Sequence, residues 1–241
     1  MQTGMSSPIT IIKKSIEIFF KKENLIYFLK VYAVLLPFSL ISLVRDYFLS
    51  LQTKSSDIVN QFGQFYQHYG IATVIAMAIV MLIITLAYLV VSFWVSAAGI
   101  VAVNSVTTQT TLSVNETFKT SWKFLWKFGI LEFLISLMGI IGTILLIIPG
   151  ILVFVWFRFS NFELVVRRVG IRQSLGNSKR LVAGRFWKIF GRFIVFAIFT
   201  TLVSLIFSLL PYGVGSVIYP FFGALIILPY FLLYKELSPL S

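Results

Sequence analysis

The chain has 241 residues, of which 59% are apolar and only 12% are charged. Soluble globular domains contain about 25% charged residues, so this chain has too few charges to coat a water-soluble domain of its size. The high apolar content also excludes an intrinsically disordered chain. The charge is biased, because 20 Lys and Arg against 8 Asp and Glu give a formal net charge of +12. Such a bias is typical of proteins that bind nucleic acid or a membrane surface, and the apolar content favours the membrane.

The near-absence of cysteine and histidine excludes several kinds of structural and metal site. The chain has no cysteine and one histidine, which excludes disulfide frameworks, thiolate metal sites and His-rich metal sites. Glu132 and Glu163 are the candidates for a pair of catalytic carboxylates, and they would have to converge. We therefore expect a protein that is not an enzyme and that carries no metal or cofactor.

Long stretches without charge predict membrane-spanning helices, which need about 20 apolar residues to cross the ~30 Å hydrocarbon core. The uncharged run over residues 193–234 is too long for one span, and Pro211 and Gly213 supply a turn in its middle. The same reasoning places a turn at Pro149-Gly150. Six spans are predicted, at about residues 25–45, 71–103, 128–148, 150–167, 193–210 and 217–234. The predicted fold class is an all-α integral membrane protein that forms a single polytopic domain over residues 1–241.

The basic residues predict the orientation of these spans. With six spans, seventeen of the twenty Lys and Arg fall on the side that holds both termini, whereas Arg45 and Lys54 fall on the other side. Because cytoplasmic loops carry the excess of Lys and Arg, this asymmetry places both termini in the cytoplasm. The expected location is the cytoplasmic membrane of a bacterium, which the chain crosses several times.

The spans pair into three predicted hairpins, each preceded by a basic, amphipathic helix at the cytoplasmic interface. Aromatic or Leu-Trp pairs followed by lysine mark the start of the first, third and fifth spans, at residues 19–22, 125–129 and 186–191. Aromatic rings and lysine suit that boundary, which is apolar on one side and wet on the other. The repeat divides the chain into units of about residues 8–103, 108–167 and 168–241.

The segment before the third span is the clearest of the three. Ser113 and Glu116 form a predicted capping box, and lysines then recur every four residues on one helical face. A helix of this kind lies in the membrane interface with its lysines toward anionic headgroups. The candidate interface residues are Lys119, Lys123, Lys127, Trp126, Arg185, Trp187 and Lys188. In the alternative interpretation, these segments only pack on the bundle and fix its topology.

Arg158 is the residue that this topology does not explain. Counted from a turn at Pro149-Gly150 it lies about eight residues deep, or ~12 Å into the bilayer, where an arginine costs at least ~2.5 kcal/mol. It therefore needs an interior position and a polar partner. The candidates for an intramembrane polar site are Arg158, Asn161, Glu163 and Glu132.

Hairpin symmetry about Pro149-Gly150 brings Glu132 level with Arg167, so a contact between these two residues is easier than one between Glu132 and Arg158. Two interpretations of Arg158 stay open. It forms an anion or headgroup site inside the bundle, or it is a structural pin that backbone carbonyls or a carboxylate satisfy.

Two stretches of the chain resemble a known family, one near the N-terminus and one over residues 148–193 that contains three short motifs. Residues 148–151 read Ile-Pro-Gly-Ile, residues 158–160 read Arg-Phe-Ser, and residues 184–191 read Gly-Arg-Phe-Trp-Lys-Ile-Phe-Gly. Together with residues 12–38 they resemble the bacterial membrane-domain family named after the membrane region of glycerophosphoryl diester phosphodiesterases. The resemblance implies a six-helix membrane domain with an arginine at position 158. It does not imply phosphodiesterase activity, because the soluble catalytic barrel with its histidines has no room in this chain.

Two functions follow from these observations. The first is a non-enzymatic scaffold or envelope-maintenance component whose basic cytoplasmic face binds anionic lipid. The alternative is a transporter or lipid-handling protein with an anion or headgroup site around Arg158. A water-accessible cavity lined by Arg158 and Asn161 would favour the alternative, whereas a dry bundle would favour the scaffold. The expected partners are membrane lipids and a protein partner or second copy of the chain, but not nucleic acid, because no nucleic-acid-binding fold fits between the spans.

Overall fold

The computed structural model of the protein describes residues 5–41, 43–44, 58–110, 112–211 and 214–238. Within these residues the backbone is helical and contains no strand. Arg45 and Lys54, which the sequence places on the side opposite the termini, lie outside the described residues.

The helices are numbered here in chain order. They are α1 (Pro8–Phe20), α2 (Lys22–Tyr32), α3 (Ile58–Thr107), α4 (Val114–Trp122), α5 (Leu125–Leu145), α6 (Ile147–Phe157), α7 (Ser160–Val166), α8 (Ile171–Val182), α9 (Phe186–Ser208), α10 (Val214–Ile218) and α11 (Gly223–Leu237). The 3₁₀ helix Ala33–Leu35 follows α2, and the 3₁₀ helix Tyr219–Phe222 joins α10 to α11. The first of these lies directly before Pro37, which has no N–H to bond the carbonyl of Ala33, and the N–H of Leu36 bonds that carbonyl instead.

Six helical segments of the described residues are long and apolar enough to cross a membrane. They are Lys22–Ile41, Gly70–Thr107, Leu125–Leu145, Ile147–Val166, Phe186–Ser208 and Val214–Leu237. The prediction of six spans in an all-α membrane protein is therefore confirmed, and the chain is a multi-pass membrane protein. The second segment is the longest, and Gly70, with φ +74°, separates it from the first turns of α3.

Short helices precede the first, third and fifth of these segments. The first, α1, begins with Ser7 as its N-cap and proline at its first position, which is the place where a helix tolerates proline. The next, α4, begins with the predicted capping box, in which the Ser113 hydroxyl accepts from the Glu116 N–H and the Glu116 carboxylate accepts from the Ser113 N–H. The last, α8, ends before Gly184, which has φ +71°.

The turn between the third and fourth segments lies earlier than the sequence predicts. Leu146, with extended backbone, separates α5 from α6, whereas Pro149-Gly150 falls inside the first turn of α6. Proline is tolerated in the first turn of a helix, so it does not force the chain to turn at its own position. The two helices approach so closely here that a Cβ on Gly150 would overlap the Thr143 hydroxyl. The turn is about three residues earlier, which changes the residues that face each other across the pair.

The two ends of the described chain meet at one end of the bundle. The N–H of Ser6 donates to the carboxylate of Glu236 at 3.2 Å, and the guanidinium of Arg192 donates to the carbonyls of Met5 and Ser6 at 2.9–3.1 Å. The buried side chains concentrate toward this end. They include Phe19, Phe28, Leu131, Phe196 and Tyr234, with residues 97–103 of α3 between them.

The opposite halves of the long helices expose apolar side chains. Examples are Ile79, Ile144, Leu145 and Ile206, all more than half exposed. A soluble protein does not leave apolar surface of this extent in water. The exposed half therefore matches hydrocarbon as its surroundings, in agreement with the six candidate spans.

Candidate functional site

A cavity of about 600 Å³ lies between α5 and the helices α6 and α7, and it opens to the outside of the bundle. One end of the cavity is polar, because Glu132, Arg158 and Asn161 line it. Toward the turn at Leu146 the lining is mostly apolar, with two hydroxyl side chains among it. It consists of Ile135, Ser136, Gly139, Ile140, Thr143, Ile144, Val153, Phe154 and Phe157. The cavity is therefore an amphipathic groove with charged groups at one end.

The guanidinium of Arg158 is held by aromatic rings. Its central carbon lies 4.3 Å from the ring centroid of Tyr230 and 5.4 Å from that of Phe154. A cation over an aromatic face is attracted to it by about 0.5–2 kcal/mol. Among the described residues, Arg158 makes no hydrogen bond and no ion pair. Its N–H donors are thus available to the cavity that it lines.

The other polar residues of the cavity pair with each other. The amide nitrogen of Asn161 donates to Oε1 of Glu132. The amide oxygen of Asn161 is buried and has no hydrogen-bond partner among the described residues. The polar end of the cavity therefore presents unused acceptors on Glu132 and Asn161 and unused donors on Arg158.

Glu163 lies apart from this cavity, although the sequence groups it with Arg158. Its carboxylate is 0% exposed and accepts from the hydroxyl of Tyr234 at 3.0 Å and from the amide of Asn177 at 2.8 Å. Nε of Arg167 lies 3.4 Å from the same carboxylate, and Nη2 of Arg167 donates to Ser238 at 2.7 Å. Glu163 thus joins α7, α8 and α11 rather than facing Arg158.

The contact between Glu132 and Arg167, which the sequence favours over one between Glu132 and Arg158, does not occur among the described contacts. Glu132 pairs with Asn161, and Arg167 pairs with Glu163. The early turn explains the difference. Reflection about Leu146 brings Glu132 level with Ser160, next to Asn161, whereas reflection about Pro149-Gly150 would bring it level with Arg167.

Reasoning from the sequence missed three residues of these clusters. Tyr230 and Tyr234 hold Arg158 and Glu163, and Asn177 completes the second cluster. The two tyrosines are four residues apart in an otherwise apolar final span, so they share one helical face. Polar side chains at such spacing in a span are a signal that would have found them.

A second, smaller cavity of about 330 Å³ lies beside Glu163. Arg167, Arg180 and Arg185 line it together with Asn177. Arg185 is exposed, so this cavity is open to the surface where the sequence predicts the basic interface.

The predicted interface residues lie on the surface of the bundle. Lys119, Lys123 and Lys127 are exposed, as are Arg185 and Lys188. The two tryptophans beside them are exposed too, Trp126 by 74% and Trp187 by 78%. None of these residues except Arg185 lines either of the two cavities described above.

Helix α4 packs on the bundle through its aromatic face. The rings of Phe118 and Trp122 each lie edge-on to the ring of Trp94, at centroid distances of 5.0 and 5.1 Å. Hydrogen bonds from the Ser113 N–H and hydroxyl hold the pKa of Glu116 below its usual range. The helix is therefore fixed by its cap and by Trp94, with its lysines free to face the surroundings.

No group of three or more His, Asp or Glu that would hold a metal occurs in the described residues. The absence of a cofactor stays a prediction. No curated protein and no solved structure matches the chain. The resemblance to the membrane region of glycerophosphoryl diester phosphodiesterases also stays a prediction, because the family that matches is described only as a domain of unknown function. The match covers residues 28–228, and the chain belongs to the family described as domain of unknown function (DUF7847).

Proposed function

We propose that the protein is a non-enzymatic lipid-handling protein that binds the phosphate of a lipid headgroup at Arg158. The observation that carries the proposal is an arginine within a candidate span that has no hydrogen-bonding or ionic partner in the described chain and lines an open cavity. A charged residue at such a depth is costly and is typical of a functional site. The planar guanidinium matches the oxygens of a phosphate group in a bidentate contact.

The position of the cavity along the helices supports a lipid as the ligand. Glu132 lies six residues after the exposed Trp126 and five after the exposed Lys127, so the polar end of the cavity lies ~8 Å below their level. The apolar end reaches a further ~18 Å along α5 to Ile144. A phospholipid with its headgroup at Arg158 would have its acyl chains along this apolar wall.

The position of the cavity near the end of the bundle that holds both termini also bears on the proposed orientation of the chain in the membrane. We infer three hairpins with both termini in the cytoplasm, so that the lipid comes from the cytoplasmic leaflet of a bacterial cytoplasmic membrane. The meeting of Ser6 with Glu236 supports an even number of crossings, and the excess of Lys and Arg near this end supports its cytoplasmic location. Exposed tryptophan beside exposed lysine is typical of such a boundary.

A scaffold with a basic lipid-binding face is the second candidate function. It is favoured by the exposed Lys119, Lys123 and Lys127 of one unit and by Trp187 and Lys188 of the next. Each basic residue near an anionic membrane surface adds about 1 kcal/mol of attraction. This function needs no cavity, and therefore it predicts that Arg158 is dispensable for lipid binding.

Lipid retained by the purified protein distinguishes the two functions. We would purify the wild type and Arg158→Gln in detergent and measure co-purified phospholipid by native mass spectrometry. Gly139→Phe fills the cavity, because a Cβ at this position meets no atom within 4 Å. Gly191→Phe is the matched control, since Gly191 is also a helical glycine with open space around it but does not line the cavity.

We expect Arg158→Gln and Gly139→Phe to lose at least about tenfold of the retained phospholipid, equivalent to ~1.4 kcal/mol. Gly191→Phe should retain the wild-type amount. If Arg158→Gln and Gly139→Phe both retain the wild-type amount, the headgroup site at Arg158 is refuted. Loss on substitution of Lys119, Lys123 and Lys127 by glutamine would then favour the scaffold.

A further inference from the structure

The polar end of the cavity carries charges of both signs that are held apart. Arg158 is drawn to the rings of Tyr230 and Phe154, and Glu132 is bound by the amide of Asn161. Although both side chains line the same cavity, they do not form an ion pair with each other among the described contacts. A gap with a cation on one side and a carboxylate on the other is complementary to a ligand that carries both charges.

We propose that the headgroup bound here is zwitterionic, with a phosphate on Arg158 and a primary ammonium on Glu132 and Asn161. This inference rests on the proposed function, and it adds the chemical class of the lipid. An anionic headgroup without an amine would place no positive charge against Glu132. The carboxylate would then remain in the cavity without a cationic partner, which is unfavourable in a membrane.

The unused acceptors specify the kind of ammonium. One oxygen of Glu132 is engaged by Asn161, which leaves the other oxygen to accept. The amide oxygen of Asn161 is buried without a partner in the described structure, so it also needs a donor. A primary ammonium has three N–H donors and can donate a hydrogen bond to both acceptors. A quaternary ammonium has no N–H and can donate to neither. The site therefore favours an ethanolamine-type headgroup over a choline-type one.

The spacing of the residues agrees with such a headgroup. Arg158 precedes Asn161 by three residues, and because the backbone of Arg158 and Phe159 between α6 and α7 stays in the αR region, the rise is ~4.5 Å. Asn161 and Glu132 lie level with each other because they are hydrogen-bonded. A phosphate and an ammonium joined by a two-carbon bridge are separated by a similar distance, so one headgroup spans from Arg158 to the Glu132–Asn161 pair.

The test measures lipid selectivity. The purified protein, stripped of lipid by detergent exchange, would be mixed with equal amounts of dioleoyl phosphatidylethanolamine, phosphatidylcholine and phosphatidylglycerol in micelles, and bound lipid counted by native mass spectrometry. Wild type should retain phosphatidylethanolamine about tenfold over the other two. Glu132→Gln should lose this preference while it still binds all three lipids, and Arg158→Gln should lose all three.

The outcomes separate this inference from the proposed function. If wild type binds the three lipids equally and Arg158→Gln loses all of them, the ammonium site is wrong but the phosphate site stands. If Arg158→Gln retains all three lipids, the phosphate site itself is wrong. Wild-type selectivity decides the question even if Glu132→Gln does not fold, because the methylated amine of phosphatidylcholine removes the same hydrogen bonds from the ligand side.

A competition distinguishes a lipid from a free phosphate compound. Soluble phosphoethanolamine and inorganic phosphate would be added separately to protein that has bound phosphatidylethanolamine. Displacement of the lipid by phosphoethanolamine at a concentration at which phosphate has no effect would support the ammonium site. Equal displacement by inorganic phosphate would contradict it.

Discussion

The hydrogen bonds around Glu163 predict a measurable loss of stability when a single hydroxyl is removed. Tyr234→Phe removes the O–H that donates to this carboxylate at 3.0 Å. It leaves the ring in contact with Phe162 and Phe231, so the packing of α7 against α11 is preserved. The substitution therefore isolates one hydrogen bond to a buried charge.

The expected magnitude follows from the burial of the carboxylate. Glu163 is 0% exposed, so water does not replace the lost donor. A hydrogen bond to a charged group contributes about 1.5–3 kcal/mol, and Tyr234→Phe should lower the free energy of unfolding by about that amount. Glu163→Gln should cost more, about 3 kcal/mol, because it also removes the charge that pairs with Arg167. That value is at the low end of the range for a broken buried pair, since the Arg167 side chain is 25% exposed and keeps some contact with water.

The assay is reversible unfolding in mixed micelles of dodecyl maltoside and sodium dodecyl sulfate, followed by tryptophan fluorescence. Tyr88→Phe is the matched control, because Tyr88 is 48% exposed on the apolar part of α3, and a surface change of this kind stays within about 0.5 kcal/mol. If Tyr234→Phe is no less stable than Tyr88→Phe, the hydrogen bond from Tyr234 to Glu163 does not contribute to the free energy of unfolding. Lipid retention should be unchanged in Tyr234→Phe, because neither Tyr234 nor Glu163 lines the cavity at Arg158.

Four further substitutions test other parts of the structure. The buried hydroxyl of Tyr32 has no hydrogen-bond partner in the described chain, so Tyr32→Phe should raise the unfolding free energy by about 1 kcal/mol in the same assay, and a loss would contradict this. Gly99→Ala should cost about 1–3 kcal/mol, because its Cβ would overlap the Tyr32 hydroxyl, and it should cost less when combined with Tyr32→Phe. The pKa of Glu116 is lowered on folding, so its contribution to the α4 cap is present at neutral pH and is lost as the pH falls through that lowered pKa. The protection of the first α4 amides from hydrogen exchange, measured relative to the intrinsic rate at each pH, should fall there in the wild type but not in Glu116→Gln. Ser178→Ala removes the hydroxyl that donates to the carbonyl of Trp156 and accepts from the N–H of Phe159, on either side of Arg158. Although Ser178 does not line the cavity, this substitution should weaken phospholipid retention. Unchanged retention would show that Arg158 is positioned without the Ser178 hydroxyl.

The spans could be predicted from the sequence because the bilayer imposes a simple rule. A helix that crosses hydrocarbon needs about 20 apolar residues, and this length is visible in a single sequence. The cap of α4 was also predictable, because Ser113 and Glu116 bond to each other's backbone within one turn and need no distant partner. These features depend on local sequence alone.

The pairing of the polar residues could not be predicted in the same way. A displacement of the α5–α6 turn by about three residues moves Glu132 from the level of Arg167 to the level of Asn161. Nothing in the local sequence fixes that turn, since proline is acceptable both at a turn and in the first turn of a helix. The partners Tyr230 and Tyr234 depend on the packing of α11 against α7, which is a contact between residues about 70 positions apart.

Helix α8 contacts the chain around both polar clusters. Asn177 donates to Glu163, and the neighbouring Ser178 holds the break between α6 and α7 at which Arg158 lies. The next residue, Lys179, places its ammonium 4.8 Å from the ring of Trp156. Three consecutive residues of a short surface helix therefore contact the chain around Arg158.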